Sequence, residues 1–544
     1  MGILSGTPMT AAQPTHPTVP APQGCSVPLA GRQWLYLGAF ICLIVTFYFV
    51  TYWTDPNLPG RSTQFPLGWW GGFDQRQYLR SIVALEHHNY DPNEHHFPLG
   101  YPLIGTLFYW LLPQHPFFVP NLCCCILICL AFIDICRRLV SFRVALILCF
   151  FGVMWSTSVR ANLVRPWTNI PASAALVILV CLALAQQRDR RRAIVTGVCA
   201  GVIFAVRPGD VSYTWPAVAA LWFGCRSWRE AFQRARWFAA GAAPLAALVL
   251  YYSVAIHGQL VSKAYANANA IYIGAGFGSW GLKLYTFCVD GFTLFGESQT
   301  LITVFPLLFF VLPGVAVFVK TLRWRGLAVV LTQLGAVVYF LAFNDYWISN
   351  AFKFQGIRYW LWLIPFIGLY AYLTFTRAWR SLGWIPTCVL IAVPLALWGT
   401  IRMEIRPVLA EPASPADSGP AGGSHCIPDT QGSCTLLLQF AKPVDFDILK
   451  LQGTPPANLL YARVWVDGQL NPMFRSHYLS TGGDGQDIII FYRRQRGRSI
   501  RVTIPPPYAA DAPDVTGVRF YQREWKLSLN HPLRSYHPQS SARL

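Results

Sequence analysis

Charge is what this sequence has least of: only 12% of its 544 residues are Asp, Glu, Lys or Arg, and only 24 are acidic. Soluble domains carry about a quarter, so a chain that is also 54% apolar is not a soluble enzyme. Mean hydropathy is positive, at +0.38. Nucleotide chemistry has no footprint either, since there is no Walker loop and no glycine-rich dinucleotide turn. HExxH and CxxC spacings, which would mark a zinc site, are missing as well. No fixed-period repeat occurs, nor the paired halves that many secondary transporters show.

What is there instead is a series of apolar runs. About 20 such residues cross the hydrocarbon core as a helix. Runs at 33–52, 117–136, 143–159, 167–185, 193–207, 210–224, 237–256, 300–319, 326–343, 359–376 and 384–401 predict about eleven spans, two of them short. A net charge of +19 would suggest nucleic acid in a soluble chain. Here the basic residues cluster in short loops at Arg137–Arg143, Arg188–Arg192, Arg226–Arg236, Lys320–Arg325 and Arg377–Arg380. The positive-inside rule puts these loops in the cytoplasm. Loops 53–116, 160–166, 207–210, 257–299 and 344–358, and everything after Arg402, then lie outside. Residues 1–31, rich in Pro, Thr and Ala, read as a disordered cytoplasmic tail.

The expected organisation is a transmembrane domain over 32–402, a Pro/Gly/Ser linker over 403–424, and an extracytoplasmic domain over 425–544. The last segment alternates β-rich runs with turn formers such as Asp467-Gly468, which predicts a β-sandwich. Most cysteines fall in the spans and read as packing residues. Cys426 and Cys434 flank a polar loop on the expected outer side, where an oxidising compartment would let them form a disulfide. In the β-rich segment Trp465, Tyr478, Tyr492 and Trp525 suit either sugar stacking or a sandwich interior.

Chemistry concentrates in the first outer loop. GGFDQRQYLRSIVALE places Leu79, Ile82, Val83 and Leu85 over two helical turns beside Gln75, Arg76, Gln77, Arg80 and Ser81, an amphipathic helix suited to the membrane surface. Asp74 sits in its first turn, where the macrodipole favours a carboxylate, as helix starter or as general base. The apolar piece from Tyr101 to Leu112, bracketed by Pro98, Pro102 and Pro113, is too short to span and lies in the interface or dips back. Arginines recur at the outer span ends: Arg160 and Arg165 in RANLVRPW, Arg207 in AVRPGD, Arg358 in QGIRYW. Guanidinium forks suit phosphate oxygens, so these arginines, with Lys263, are candidates for a lipid phosphate, each with a headgroup anchor as the alternative. His87, His88, His95 and His96 crowd the same loop beside Glu86, Asp91 and Glu94. Adjacent histidines on one helix point apart, so a divalent metal is open but not favoured, and substrate hydrogen bonding by His88 and His96, or simple solvated polarity, fits better.

Four places carry a resemblance to a known class: Asp74 with Tyr78 in GGFDQRQYLRSIVAL, HHFPLGYPLIGTLFYWL, AVRPGD, and GIRYWLWLIPFIGL. The chain resembles the GT-C glycosyltransferases that use polyprenyl-phosphate sugars, the class of protein O-mannosyltransferases and lipid A aminoarabinose transferase. The resemblance covers 33–401 in layout and implies an α-helical polytopic fold. It implies that Asp74 deprotonates an acceptor hydroxyl while Arg207 and Arg358 hold the lipid phosphate. Tyr78, Glu86, His88, His96 and Tyr101 would line the substrate. The class often has a second acid directly after the first, where Gln75 stands here, so an acidic partner such as Glu86 stays open. An inverting displacement at the anomeric carbon follows, with a polyprenyl-phosphate-sugar donor, a glycan, lipid or protein acceptor, membrane lipids around it, and no nucleotide. The heavy use of arginine over lysine favours a bacterial plasma membrane. The competing class is a transporter or flippase of lipid-linked glycans with a glycan-binding outer domain. It calls for charges inside the spans, where this sequence has few.

Overall fold

The computed structural model describes residue 29 and residues 31–63, 66–185, 189–223, 225–259, 280–290, 299–342, 354–409, 427–428, 434–453, 463–470, 473–476, 488–504 and 515–529. Lys263, Cys426, Tyr478 and most of the 1–31 tail lie outside these residues. Cys434 opens a strand, but its side chain is not described, so the expected disulfide lies outside them too.

The chain is mostly helical, with a C-terminal sheet. Its helices are α1 (Gly31–Thr54), α2 (Phe73–Glu86), α3 (Gly100–Tyr109), α4 (Phe118–Arg137), α5 (Phe142–Phe150), α6 (Thr157–Val164), α7 (Asn169–Leu184), α8 (Arg190–Val206), α9 (Val211–Ala219), α10 (Trp228–His257), α11 (Trp280–Cys288), the four-residue α12 (Leu301–Val304), α13 (Val311–Ala342), α14 (Ile364–Leu382) and α15 (Trp384–Thr400).

The membrane signature is clearest in α1. Leu37, Phe40, Ile44, Tyr48 and Tyr52 recur every three to four residues and are buried, while Trp34, Leu35, Phe49, Val50 and Trp53 are exposed. A helix apolar on both its covered and its open face faces lipid. α7 is the opposite case: from Asn169 to Val177 every residue is buried, which makes it the centre of the bundle, packed on α4 and α8.

Four helices among the described residues are long and apolar enough to cross a membrane, or five with one bent pair, where the sequence suggested about eleven spans. The differences have local causes. The expected 143–159 span turns by 76° between Trp155 and Thr157, into α6. The second half of the expected 300–319 span runs together with 326–343 in α13, past a break at Arg323, whose φ of 54° and ψ of −136° lie outside the helical region, while the first half is α12 and a 3-10 turn. The expected 210–224 span is a nine-residue helix with Pro216 inside it.

The loop between α1 and α4 folds onto the bundle. α2 does not lie open on the surface as its pattern suggested, because polar Gln75, Gln77 and Ser81 are buried along with Tyr78, Ile82 and Leu85. The reason is a clasp behind it. Arg80 makes a two-pronged ion pair with Glu94 at 2.6 and 2.8 Å, and the Ser81 hydroxyl donates to the Glu94 carbonyl at 2.9 Å. The Arg80 guanidinium holds the Glu94 carboxyl below its usual range. α3 lies against α8 through Gly100, where a β-carbon would overlap the Ala205 carbonyl at 2.5 Å.

The strands are β1 (Ile401–Leu409), β2 (Ile427–Pro428), β3 (Cys434–Gly453), β4 (Arg463–Val466), β5 (Gln469–Leu470), β6 (Met473–Ser476), β7 (Ile488–Ile504) and β8 (Val515–Leu529). They form one hydrogen-bonded sheet in the order β1-β8-β3-β7-β4-β5, with β2 on β3 and β6 on β7, rather than the two separate sheets of the expected sandwich. Register shifts between Gln439 and Val444 and between Phe446 and Ile448 let the long β3 pair with β7 and, at its far end, with β8. Residues 403–409, expected in the linker, belong to β1 and pair antiparallel with β8.

Candidate active site

The first turn of α2, the end of α8, the 165–169 connection before α7, and the 3-10 turn Phe354–Trp360 converge. Asp74 enters from α2, half-buried, with no side-chain cap ahead of it at Gly72. One turn later Tyr78 lies on the same helix face. Burial pushes the Tyr78 phenol well above its ordinary pKa, and Asp74 adds to this against the opposing influence of Thr168, Arg358 and Arg207. The phenol therefore keeps its proton. Its ring packs edge-on against Tyr101 with centroids 5.3 Å apart, and Tyr101 stacks on Phe117 at 3.9 Å.

Arg358 faces Asp74, with Nη2 3.7 Å from Oδ2 and side chains 9% and 33% exposed. That is an ion-pair distance, too long for a hydrogen bond. The guanidinium lies over the Trp167 ring at 3.9 Å and beside Tyr359 at 5.2 Å. Its Nε has no hydrogen-bond partner among the described residues, and the same holds for Trp167 Nε1.

Arg207 is placed differently. Its Nε and Nη2 donate to both carboxylate oxygens of Asp210 at 2.6 and 3.1 Å, and Nη1 donates to Asn169 Oδ1 at 3.2 Å. Its guanidinium lies 4.9 Å from the Tyr359 ring, which the Arg358 guanidinium also approaches at 5.2 Å. The fork that was to hold phosphate is already engaged by a carboxylate.

Arg165 is engaged in the same way, donating to Asp55 at 2.9 and 3.3 Å while its carbonyl accepts from Asn121, which in turn accepts from the Tyr101 hydroxyl. Arg160 turns toward α1, over Phe47 at 5.5 Å. Glu86 and His88 are exposed at and beyond the far end of α2. Twelve residues of helix at about 1.5 Å each put Glu86 roughly 18 Å from Asp74, so it is no partner for it. His96 is half-buried and packs against Phe97. Buried His95 has Nε2 2.9 Å from the Asn89 carbonyl. Among the described residues no three of His, Cys, Asp and Glu converge as a metal site.

The structure thus brings together Asp74, Tyr78, Tyr101, Arg207 and Arg358 and leaves Arg160, Glu86 and His88 apart. Sequence reasoning missed Trp167, Asn169, Asp210 and Tyr359 as members. Three of the four stand within or beside the quoted arginine motifs, one to three residues from an arginine; Asn169 is four from Arg165.

No family model and no curated protein matches the chain. A solved structure does resemble it. The crystal structure of ArnT from Cupriavidus metallidurans bound to undecaprenyl phosphate aligns with 68% of this chain and 64% of that chain, at 13% identity and a TM-score of 0.45. The chain therefore spans just under two thirds of that protein's length. At that identity and score the likeness assigns neither residues nor activity.

Proposed function

We propose that this protein is an inverting glycosyltransferase that moves a sugar from a polyprenyl-phosphate-linked donor to an acceptor hydroxyl on the outer face of a bacterial plasma membrane. The observation that carries this reading is the pairing of Asp74, at the start of α2, with a buried arginine that still has an unused N–H. One group accepts a proton; the other meets developing negative charge.

In this mechanism the acceptor oxygen attacks the anomeric carbon while its proton passes to the Asp74 carboxylate. The bond between that carbon and the phosphate oxygen breaks, and polyprenyl phosphate leaves as a monoester. Arg358 faces the charge that the phosphate gains. Tyr78, kept protonated by burial, offers a donor beside Asp74 to orient the incoming hydroxyl. Arg207 braces the site through Asp210 and Asn169.

The test uses the purified full chain in lipid with radiolabelled polyprenyl-phosphate sugars and an acceptor-bearing membrane extract. Label moving to the acceptor with one polyprenyl phosphate released per sugar is the expected result. Transfer from nucleotide sugars alone would overturn the reading.

A further inference from the structure

Arg358 is held in an unusual way. Its side chain is buried, yet its one charged neighbour shown, Asp74, is at 3.7 Å and accepts no hydrogen bond from it. The guanidinium lies over the Trp167 ring at 3.9 Å, with Nη2 3.5 Å from the Tyr359 hydroxyl. Buried donors are nearly always hydrogen-bonded in folded proteins. Here two of them, Arg358 Nε and Trp167 Nε1, meet at one stack and neither has a partner among the described residues. A pair of unused donors, one of them cationic, calls for an anion with several acceptor oxygens.

The placement of Trp167 is itself braced. It follows Arg165 and Pro166; Arg165 is pinned to buried Asp55, and Thr168 and Asn169 behind it are buried at the head of α7. The backbone on both sides of Trp167 is therefore held by the bundle.

We propose that Trp167 is the positioning residue for donor recognition: its ring sets the plane of Arg358 so that the Nε edge meets the donor phosphate, and its indole N–H donates to the same phosphate. The inference rests on the reading of this site as one for a polyprenyl-phosphate sugar. The stack divides Arg358 between two tasks, with Nε toward the phosphate and Nη2 toward Asp74.

The experiment measures binding of a short-chain polyprenyl phosphate to the full-length protein in lipid, with uncharged polyprenol as control, and steady-state transfer alongside. Three proteins are compared: wild type, Trp167→Phe and Trp167→Leu. Phe keeps a ring face and loses the N–H; Leu keeps apolar bulk and loses both. A cation–π contact of ordinary strength corresponds to about 2- to 30-fold in affinity. Trp167→Leu should weaken phosphate binding and raise donor KM by at least that factor, with polyprenol binding unchanged. Trp167→Phe should recover most of the loss and keep a residual defect of about 2- to 10-fold from the missing hydrogen bond. If the wild type binds the phosphate and both variants bind it equally well, the inference is overturned while the functional reading stands. If the wild type does not discriminate polyprenyl phosphate from polyprenol, the functional reading itself fails. Should Trp167→Leu not fold, Trp167→Phe decides: weaker phosphate binding and a raised donor KM with unchanged polyprenol binding support the proposal, and unchanged phosphate binding and KM overturn it.

Discussion

Arg207→Ala separates a brace from a ligand. In the structure Arg207 and Asp210 form a two-pronged pair with side chains only 15% and 7% exposed. Removing the cation leaves the Asp210 carboxylate buried with its main partner gone, and such a break costs about 3–5 kcal/mol. That is roughly a 10²- to 10⁴-fold shift toward the unfolded form, at about 1.4 kcal/mol per factor of ten. The loss falls where α8 ends and the 3-10 turn Pro208–Asp210 begins, so the Asp74 site loses one wall. The assay is thermal melting of the purified full chain in detergent, alongside donor KM on the fraction that remains folded. Arg207→Ala should melt well below wild type with a near-normal KM. The double variant Arg207→Met with Asp210→Leu should recover most of the stability, because it removes both charges together. An Arg207→Ala protein as stable as wild type but with weakened donor binding would refute this reasoning and make Arg207 a phosphate ligand.

Two other outcomes follow from loop 53–116. Gly100→Ala places a β-carbon against the Ala205 carbonyl and should push α3 off α8, costing about 1–3 kcal/mol and lowering transfer, since α3 carries Tyr101 into the site; unchanged stability and activity would contradict it. Burial holds the His95 imidazole below its ordinary pKa, so the opened loop binds a proton more readily than the closed one. Stability of the 89–97 segment should therefore fall as pH drops through the ordinary histidine value of about 6.5, and level off below the depressed one. Hydrogen exchange of that segment reads this directly, and protection that stays constant from about pH 7.5 to about pH 5.5 would count against it.

Much of the helical layout was legible because a membrane span needs only local information. α1 and α4 coincide with uninterrupted apolar runs, and α10 contains the run 237–256 behind a charged start that was expected as a loop. The shorter or broken spans were harder to bound: Pro216 and Arg323 change the path of the backbone in ways that hydropathy does not register. β1 was hidden by Pro407, which reads as linker but is tolerated because β1 is an edge strand. In the site, Asp74 stood out through its position at the head of a helical pattern. Its partner could not be chosen among the arginines by residue type alone. What distinguishes Arg358 from Arg207 and Arg165 is the set of carboxylates that folding delivers to the latter two, Asp210 and Asp55. The Trp167 stack is likewise a contact between segments far apart in the chain.

In the proposed mechanism Asp74 takes the proton of the acceptor hydroxyl. The decisive comparison is sugar transfer from a polyprenyl-phosphate donor by wild-type and Asp74→Asn proteins of equal thermal stability. The substitution keeps the shape and removes the base. A fall in kcat of about 10²- to 10⁴-fold is expected, with binding of polyprenyl phosphate retained. A well-folded Asp74→Asn protein that transfers sugar at the wild-type rate would contradict it.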